Sequence, residues 1–251
     1  MIRFAVAVLA ALLATPVAAE KLVTIVSSNI IQITSSFDGA KLSLFGTIEK
    51  ESPEEVVTGP YNIIIVITGP LQDRVTRIKT NTFGIWTNTD QVQFKHFPSY
   101  YAVLSSGRLE TVANEDVLAL EMIRPEDQAR ASAVDSGTLK SMQFGAELVR
   151  LMTEQGHFSL NETGVQFLSD TAYIAQLTLP SDVANGPFLA HTMVLKDKVL
   201  VAETTQGFAV RKSGFENFVF TVSRQQPLLY GIVCVILALG TGWLAGVVFR
   251  R

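Results

Sequence analysis

Apolar residues occur as long unbroken blocks at the two ends of this chain and as period-two alternation through much of its middle. From Leu228 to Phe249 the sequence is uncharged, and Arg250 and Arg251 follow it. A helix of about 22 residues rises roughly 33 Å, enough to cross a hydrocarbon layer of about 30 Å. The pattern predicts a transmembrane helix over 227–249, with a cytoplasmic basic end at 250–251. Near the other end, Arg3 precedes an apolar run from Phe4 to Ala14, and small residues lead to Ala19. That is the form of a secretory signal over 1–19. Both ends predict export of what lies between them.

The exported part begins with strand patterns. Ile25 to Ile33 is rich in β-branched residues, Phe37 to Ala40 supplies a turn, and Lys41 to Ile48 alternates apolar and polar side chains. Glu49 to Pro60 reads as a charged loop. Tyr61 to Thr68 is apolar at both parities, the signature of a strand buried on both faces, and Gly69-Pro70 ends it. Val75 to Lys79 alternates again, with a basic polar face.

The period then lengthens. Asn114 before Glu115-Asp116 reads as a helix cap, and Pro125 interrupts that helix. A second helix is predicted from Thr138 to Gln155, with Phe144, Leu148, Leu151 and Met152 on one face and Gly156 as its stop. Strand signals return at Phe158–Leu160, Gly164–Leu168 and Tyr173–Leu179. Phe188–Leu195 and Val199–Thr205 flank Lys196-Asp197-Lys198 as a hairpin, and Gly207–Arg211 follows as a closing strand. Ser213 and Glu216 have capping-box spacing before Phe215, Phe218, Val219 and Val222. This predicts an amphipathic helix over 212–226, lying on the outer leaflet or packed on the strands.

The expected fold is therefore mainly β: one or two immunoglobulin-like β-sandwich modules with a helical insert, plus a single C-terminal transmembrane helix. The modules would span 20–112 and 157–211, divided by the helical segment 113–156.

Charge and rare residues narrow the function. Of the 20 basic residues three sit at the ends, leaving 17 against 23 acidic in the exported part. An acidic domain is a poor binder of nucleic acid or of anionic lipid surfaces. The sole cysteine, Cys234, lies within the predicted span, so the exported part holds no disulfide and no thiolate. An exported domain of this size without disulfides points to a bacterial inner (plasma) membrane protein with its bulk in the periplasm. His96, His157 and His191 are far apart in sequence, and no metal or other cofactor is expected. Nucleophile-elbow, phosphate-loop and dinucleotide glycine patterns are absent, and the paired acids suit capping and solubility. The expectation is a protein that is not an enzyme.

Two groups of residues invite a binding role. Trp86, Tyr100 and Tyr101 lie in an aromatic stretch beside Lys95 and His96, suited to a ligand pocket or to filling a core. Ala238, Gly242 and Gly246 repeat every four residues of the span, giving a flat face on which a partner helix can pack. Tyr230 and Trp243 sit near its two ends as interfacial anchors, with Arg250 and Arg251 beyond them.

Gly84 to Asn88, Phe97 to Val103 and the run from Gln226 through Gly231 and from Gly242 to Arg251 resemble a family of transmembrane proteins from alphaproteobacteria. The resemblance covers nearly the whole chain. Members of that family tend to be encoded beside sulfite-exporter permeases of the TauE/SafE type, so the resemblance implies an accessory role toward such a permease. It brings no catalytic residues. The alternative is a structural or assembly protein of the cell envelope.

Overall fold

The computed structural model describes residues 21–33, 39–49, 60–212 and 215–248. Its first strands are β1 (Lys21–Val26), β2 (Ile30–Ile33), β3 (Ala40–Glu49) and β4 (Tyr61–Thr68). A long hairpin follows, β5 (Leu71–Thr82) and β6 (Ile85–Pro98), and then β7 (Tyr101–Ser105). The helices are α1 (Leu109–Val112), α2 (Glu115–Leu120), α3 (Pro125–Ser132) and α4 (Leu139–Glu154). The remaining strands are β8 (Phe158–Asn161), β9 (Val165–Phe167), β10 (Ala172–Leu179), β11 (Gly186–Lys196) and β12 (Val199–Lys212). Two helices close the described chain, α5 (Phe215–Gln225) and α6 (Pro227–Val248).

β4 lies inside a six-stranded sheet of order β2-β12-β11-β4-β7-β8, flanked by β11 and β7. Its side chains alternate between two cores. Ile63, Ile65 and Ile67 join Leu42, Leu44, Leu177 and Leu179 of a facing four-stranded sheet, ordered β1-β3-β10-β9. Ile64 and Val66 join Phe144, Leu148 and Met152 of α4 on the opposite side. Phe94 and Phe97 of β6 enter that second core, as do Leu109, Leu118 and Ala129 from the shorter helices. The body is thus layered: sheet, sheet, then helices with the base of the hairpin. A strand apolar on both faces is what a middle layer requires.

The mainly β reading holds, and the C-terminal apolar helix is present. The division into modules at 20–112 and 157–211 does not hold, because strands from both sides of the helical segment pair directly. β3 pairs with β10 and β4 with β11. The helices connect β7 to β8, which lie side by side and parallel, so the segment 113–156 is a crossover covering the sheet and not a divider. β2 and β12 are also parallel. An all-antiparallel immunoglobulin-like sandwich lacks both features.

Local signals explain most element ends. Asn114 caps α2 by accepting from the Val117 amide at 2.8 Å. Pro125 does more than interrupt: it occupies the first turn of α3, where a missing N–H costs nothing. Thr138 accepts from the Ser141 amide at 3.1 Å to cap α4. At the other end Gly156 takes φ +74°, and the amides of Gly156 and His157 reach back to the carbonyls of Thr153 and Met152. That is a Schellman stop. Asp197 and Lys198 both adopt positive φ, as a two-residue type I′ turn between β11 and β12 demands. The expected strand from Ile25 to Ile33 breaks at Ser27 to Asn29. β1 stays in the four-stranded sheet while β2 crosses to the six-stranded one. Residues 1–20, 34–38, 50–59, 213–214 and 249–251 lie outside the described residues. With them lie the signal expectation, the turn at Phe37, most of the charged loop, Ser213 of the capping box, and Arg250 and Arg251.

One glycine has a clear role. Gly46 of β3 stands between Thr24 of β1 and Tyr173 of β10 in register. The Tyr173 ring crosses the space above it, and its hydroxyl meets Thr24 Oγ1 at 2.7 Å, deep in the core. A Cβ at position 46 would overlap that ring and hydroxyl. Gly46→Ala is expected to destabilise the body by about 1–3 kcal/mol, the usual cost of overpacking. Thermal unfolding followed by circular dichroism measures it, and an unchanged midpoint would contradict the packing described.

Candidate functional site

α6 is uncharged from Pro227 to Val248, with mean hydropathy 2.2, and none of it is buried against the body. Its length and composition suffice to cross a membrane. Thr241, its one hydroxyl-bearing threonine, satisfies itself on the carbonyls of Leu237 and Ala238 at 2.8 and 3.1 Å. Ala238, Gly242 and Gly246 fall on one face, and a Cβ built on either glycine meets nothing within 4 Å. Trp243 is exposed near one end of the helix, and Tyr230 lies in its first turn. α5 precedes it, with Phe218 exposed and Val219 and Val222 half-buried.

The aromatic residues do not converge. Trp86 is the second residue of β6, at the tip of the hairpin, and at 67% exposed it fills no core. Phe83, with φ +54°, and Ile85 share that exposed tip. Tyr100, in the link before β7, and Tyr101, the first residue of β7, are both buried, but in different cores. Tyr100 packs in the core between the sheets against Phe188. Tyr101 packs in the helix-side core against Phe158, and its hydroxyl donates to the carbonyls of Met122 and Ile123 at 2.9 and 3.1 Å.

The histidines are likewise separate. His157 Nε2 lies 3.0 Å from Asp182 Oδ2, and His191 Nε2 lies 3.2 Å from Glu203 Oε2. The His96 amide donates to Asp73 Oδ1 at 3.1 Å. Among the described residues no three His, Cys, Asp or Glu side chains come together to hold a metal ion.

A concave site that the sequence did not disclose lies between β5 and α4. It encloses about 410 Å³. Leu148, Leu151 and Met152 supply an apolar wall from the helix, and Arg74 to Ile78 supply the strand wall. Leu151 was expected among the buried helix residues, yet it is 42% exposed because it faces this groove. In register, Arg74 opposes Phe94 and Thr76 opposes Val92. Directly opposed residues share a face, so Arg74 and Thr76 look inward with the buried Phe94 and Val92. The helix stripe was visible in the sequence, whereas Arg74 lies just outside the alternating stretch Val75 to Lys79 and was not singled out.

A family model described as "Putative transmembrane protein (Alph_Pro_TM)" matches residues 21–251. The chain belongs to this family. Membership and the apolar α6 together make it a transmembrane protein with a β-rich body. No curated protein matches the chain. Among solved structures, the N-terminal domain of the Streptococcus gordonii adhesin Sgo0707 aligns at 8% identity and TM-score 0.27. The alignment covers 76% of this family member and 32% of the adhesin chain, so the chain spans about a third of that structure. A likeness of that size transfers neither fold nor activity.

The buried phenols give a pH test. Burial raises Tyr100, Tyr101 and Tyr173 above the ordinary tyrosine value. The fold therefore holds them neutral, while the unfolded chain ionises them near pH 10. Their contribution to stability is fully present below about pH 10 and is lost as pH rises through the folded values. The urea midpoint is expected to fall between about pH 10 and 12, less steeply in Tyr101→Phe. A flat profile in the parent protein would contradict the burial of these hydroxyls.

Proposed function

We propose that this family member is a single-pass protein of the bacterial inner membrane, its β-rich body periplasmic and its C-terminus cytoplasmic. It serves there as a non-enzymatic binding or accessory module for a polytopic permease of the TauE/SafE type, with sulfite or organosulfur export as the transport concerned. One observation carries the reading: α6 presents the Ala238–Gly242–Gly246 face uncovered by its own body, available for close helix packing. The family resemblance supplies the permease as the partner, and Arg250 and Arg251 support the orientation.

Co-purification in mild detergent with mass spectrometry is the direct test. The permease is expected with the parent protein and lost with Gly242→Leu or Gly246→Leu. Repeated recovery of the monomer alone sinks the reading. Orientation is checked separately by a reporter fused after Arg251, expected to be active in the form that matures in the cytoplasm; activity confined to the periplasm would reverse the topology.

A second reading, a structural or assembly protein of the envelope, is favoured by a different feature. Phe83, Ile85 and Trp86 stand exposed at the hairpin tip, suited to contact with another protein. It predicts envelope defects on deletion without any change in solute transport.

A further inference from the structure

The groove between β5 and α4 has an unanswered charge on its inner wall. Arg74 turns inward, and its Nη2 donates to the neutral Gln72 Oε1 at 3.2 Å. Its Nε is buried with no hydrogen-bond partner. Among the described residues no carboxylate stands within ion-pair distance of it. An arginine that is partly desolvated, lacks a counter-charge and leaves a donor unmet is costly unless something supplies the acceptor.

The groove's other groups define what that acceptor belongs to. Glu147 is the one acid on its lining, and it is already engaged by Arg150 Nε at 2.8 Å. Arg77 is also on the lining, and it donates to the neutral Gln91 Oε1 at 3.3 Å. Phe144, Leu148, Leu151 and Met152 form an apolar stretch of the lining, with Thr76, Gln143 and Gln155 as its uncharged polar groups. The volume, about 410 Å³, falls within the range of roughly 300–1,000 Å³ that holds small molecules.

Position adds a further constraint. α4 ends just before Phe158, which stands level with Tyr101 and, through Thr68 and Leu189, with Gly207 of β12. The helix wall therefore finishes at the end of the sheet from which β12 leads into α5 and α6.

We infer that this groove binds a single-chain amphiphile with an anionic head: the head on Arg74, the hydrocarbon tail along Leu148, Leu151 and Met152. Such a molecule comes either as a free fatty acid or as a lysophospholipid, and both offer the same chemistry. The inference is independent of the permease reading, since it concerns the body and leaves α6 untouched.

The test uses the full chain in phosphatidylcholine nanodiscs and a diazirine-bearing analogue of dodecanoic acid. After irradiation, labelled peptides are mapped by mass spectrometry. Label is expected on the α4 and β5 peptides. Dodecanoate or lauroyl lysophosphatidylglycerol should displace it, whichever competes more strongly naming the source, while dodecanol competes about tenfold more weakly. Arg74→Gln should reduce labelling about tenfold, whereas Lys79→Gln, on the same strand but outside the lining, should stay within about twofold. Leu151→Asp, at an already exposed position, provides a second variant that should abolish labelling without depending on Arg74. Label spread away from the groove, equal labelling of Arg74→Gln, or equal competition by dodecanol would each overturn the inference.

Discussion

The six-stranded sheet is apolar on both faces, and nearly every other placement follows from covering it. Each buried methylene contributes about 0.8 kcal/mol relative to water, so neither face of β4 can be left bare. One face is closed by the four-stranded sheet through Leu42, Leu44, Leu177 and Leu179. The other is closed by α4 and the base of the β5–β6 hairpin through Phe94, Phe97, Phe144 and Leu148. One covering joins Lys21–Glu49 to Val165–Leu179 and the other comes from the stretch between them, so the sheet cannot be completed by either half of the chain alone.

The covering of the second face is uneven, and that produces the groove. α4 contributes Phe144, Leu148 and Met152 to the core, but its stripe is wider than the contact it makes. Leu151 remains beyond the edge, opposite the inward side of β5. The hairpin itself packs only near its base. Val92 and Phe94 are buried, and toward the tip the strands carry exposed side chains as far as Phe83. A partly docked helix beside a partly docked hairpin leaves a trough whose walls differ in character: hydrocarbon on one side and a guanidinium on the other.

What the sequence made legible is what depends on near neighbours. The period of Tyr61 to Thr68 identified a doubly buried strand, Asn114 and Thr138 identified caps, and Gly156 identified a stop. Lys196-Asp197-Lys198 marked a hairpin. Pairings between distant segments were not legible: nothing in Lys41 to Ile48 names Ala172 to Leu179 as its neighbour, since any alternating strand would satisfy the same pattern. The break at Ser27 to Asn29 was hidden for a related reason, as β-branched residues on both sides suit one long strand as well as two short ones. Trp86 misled because a large aromatic side chain is ordinarily worth burying, whereas a hairpin longer than its docking site carries its tip into solvent. The groove needed two elements, each ordinary by itself.

The crossing from β1 to β2 has a mechanical consequence. β2 lies parallel along the last residues of β12, from Ala209 to Lys212, and β11 holds the other edge of the same strand. β12 is also the strand that continues into α5 and α6. Any pull exerted through those helices would load both rows of hydrogen bonds in shear, all at once, instead of peeling them one by one. β2 thereby acts as a strain relief, fastening the body at the point where a tether would tug.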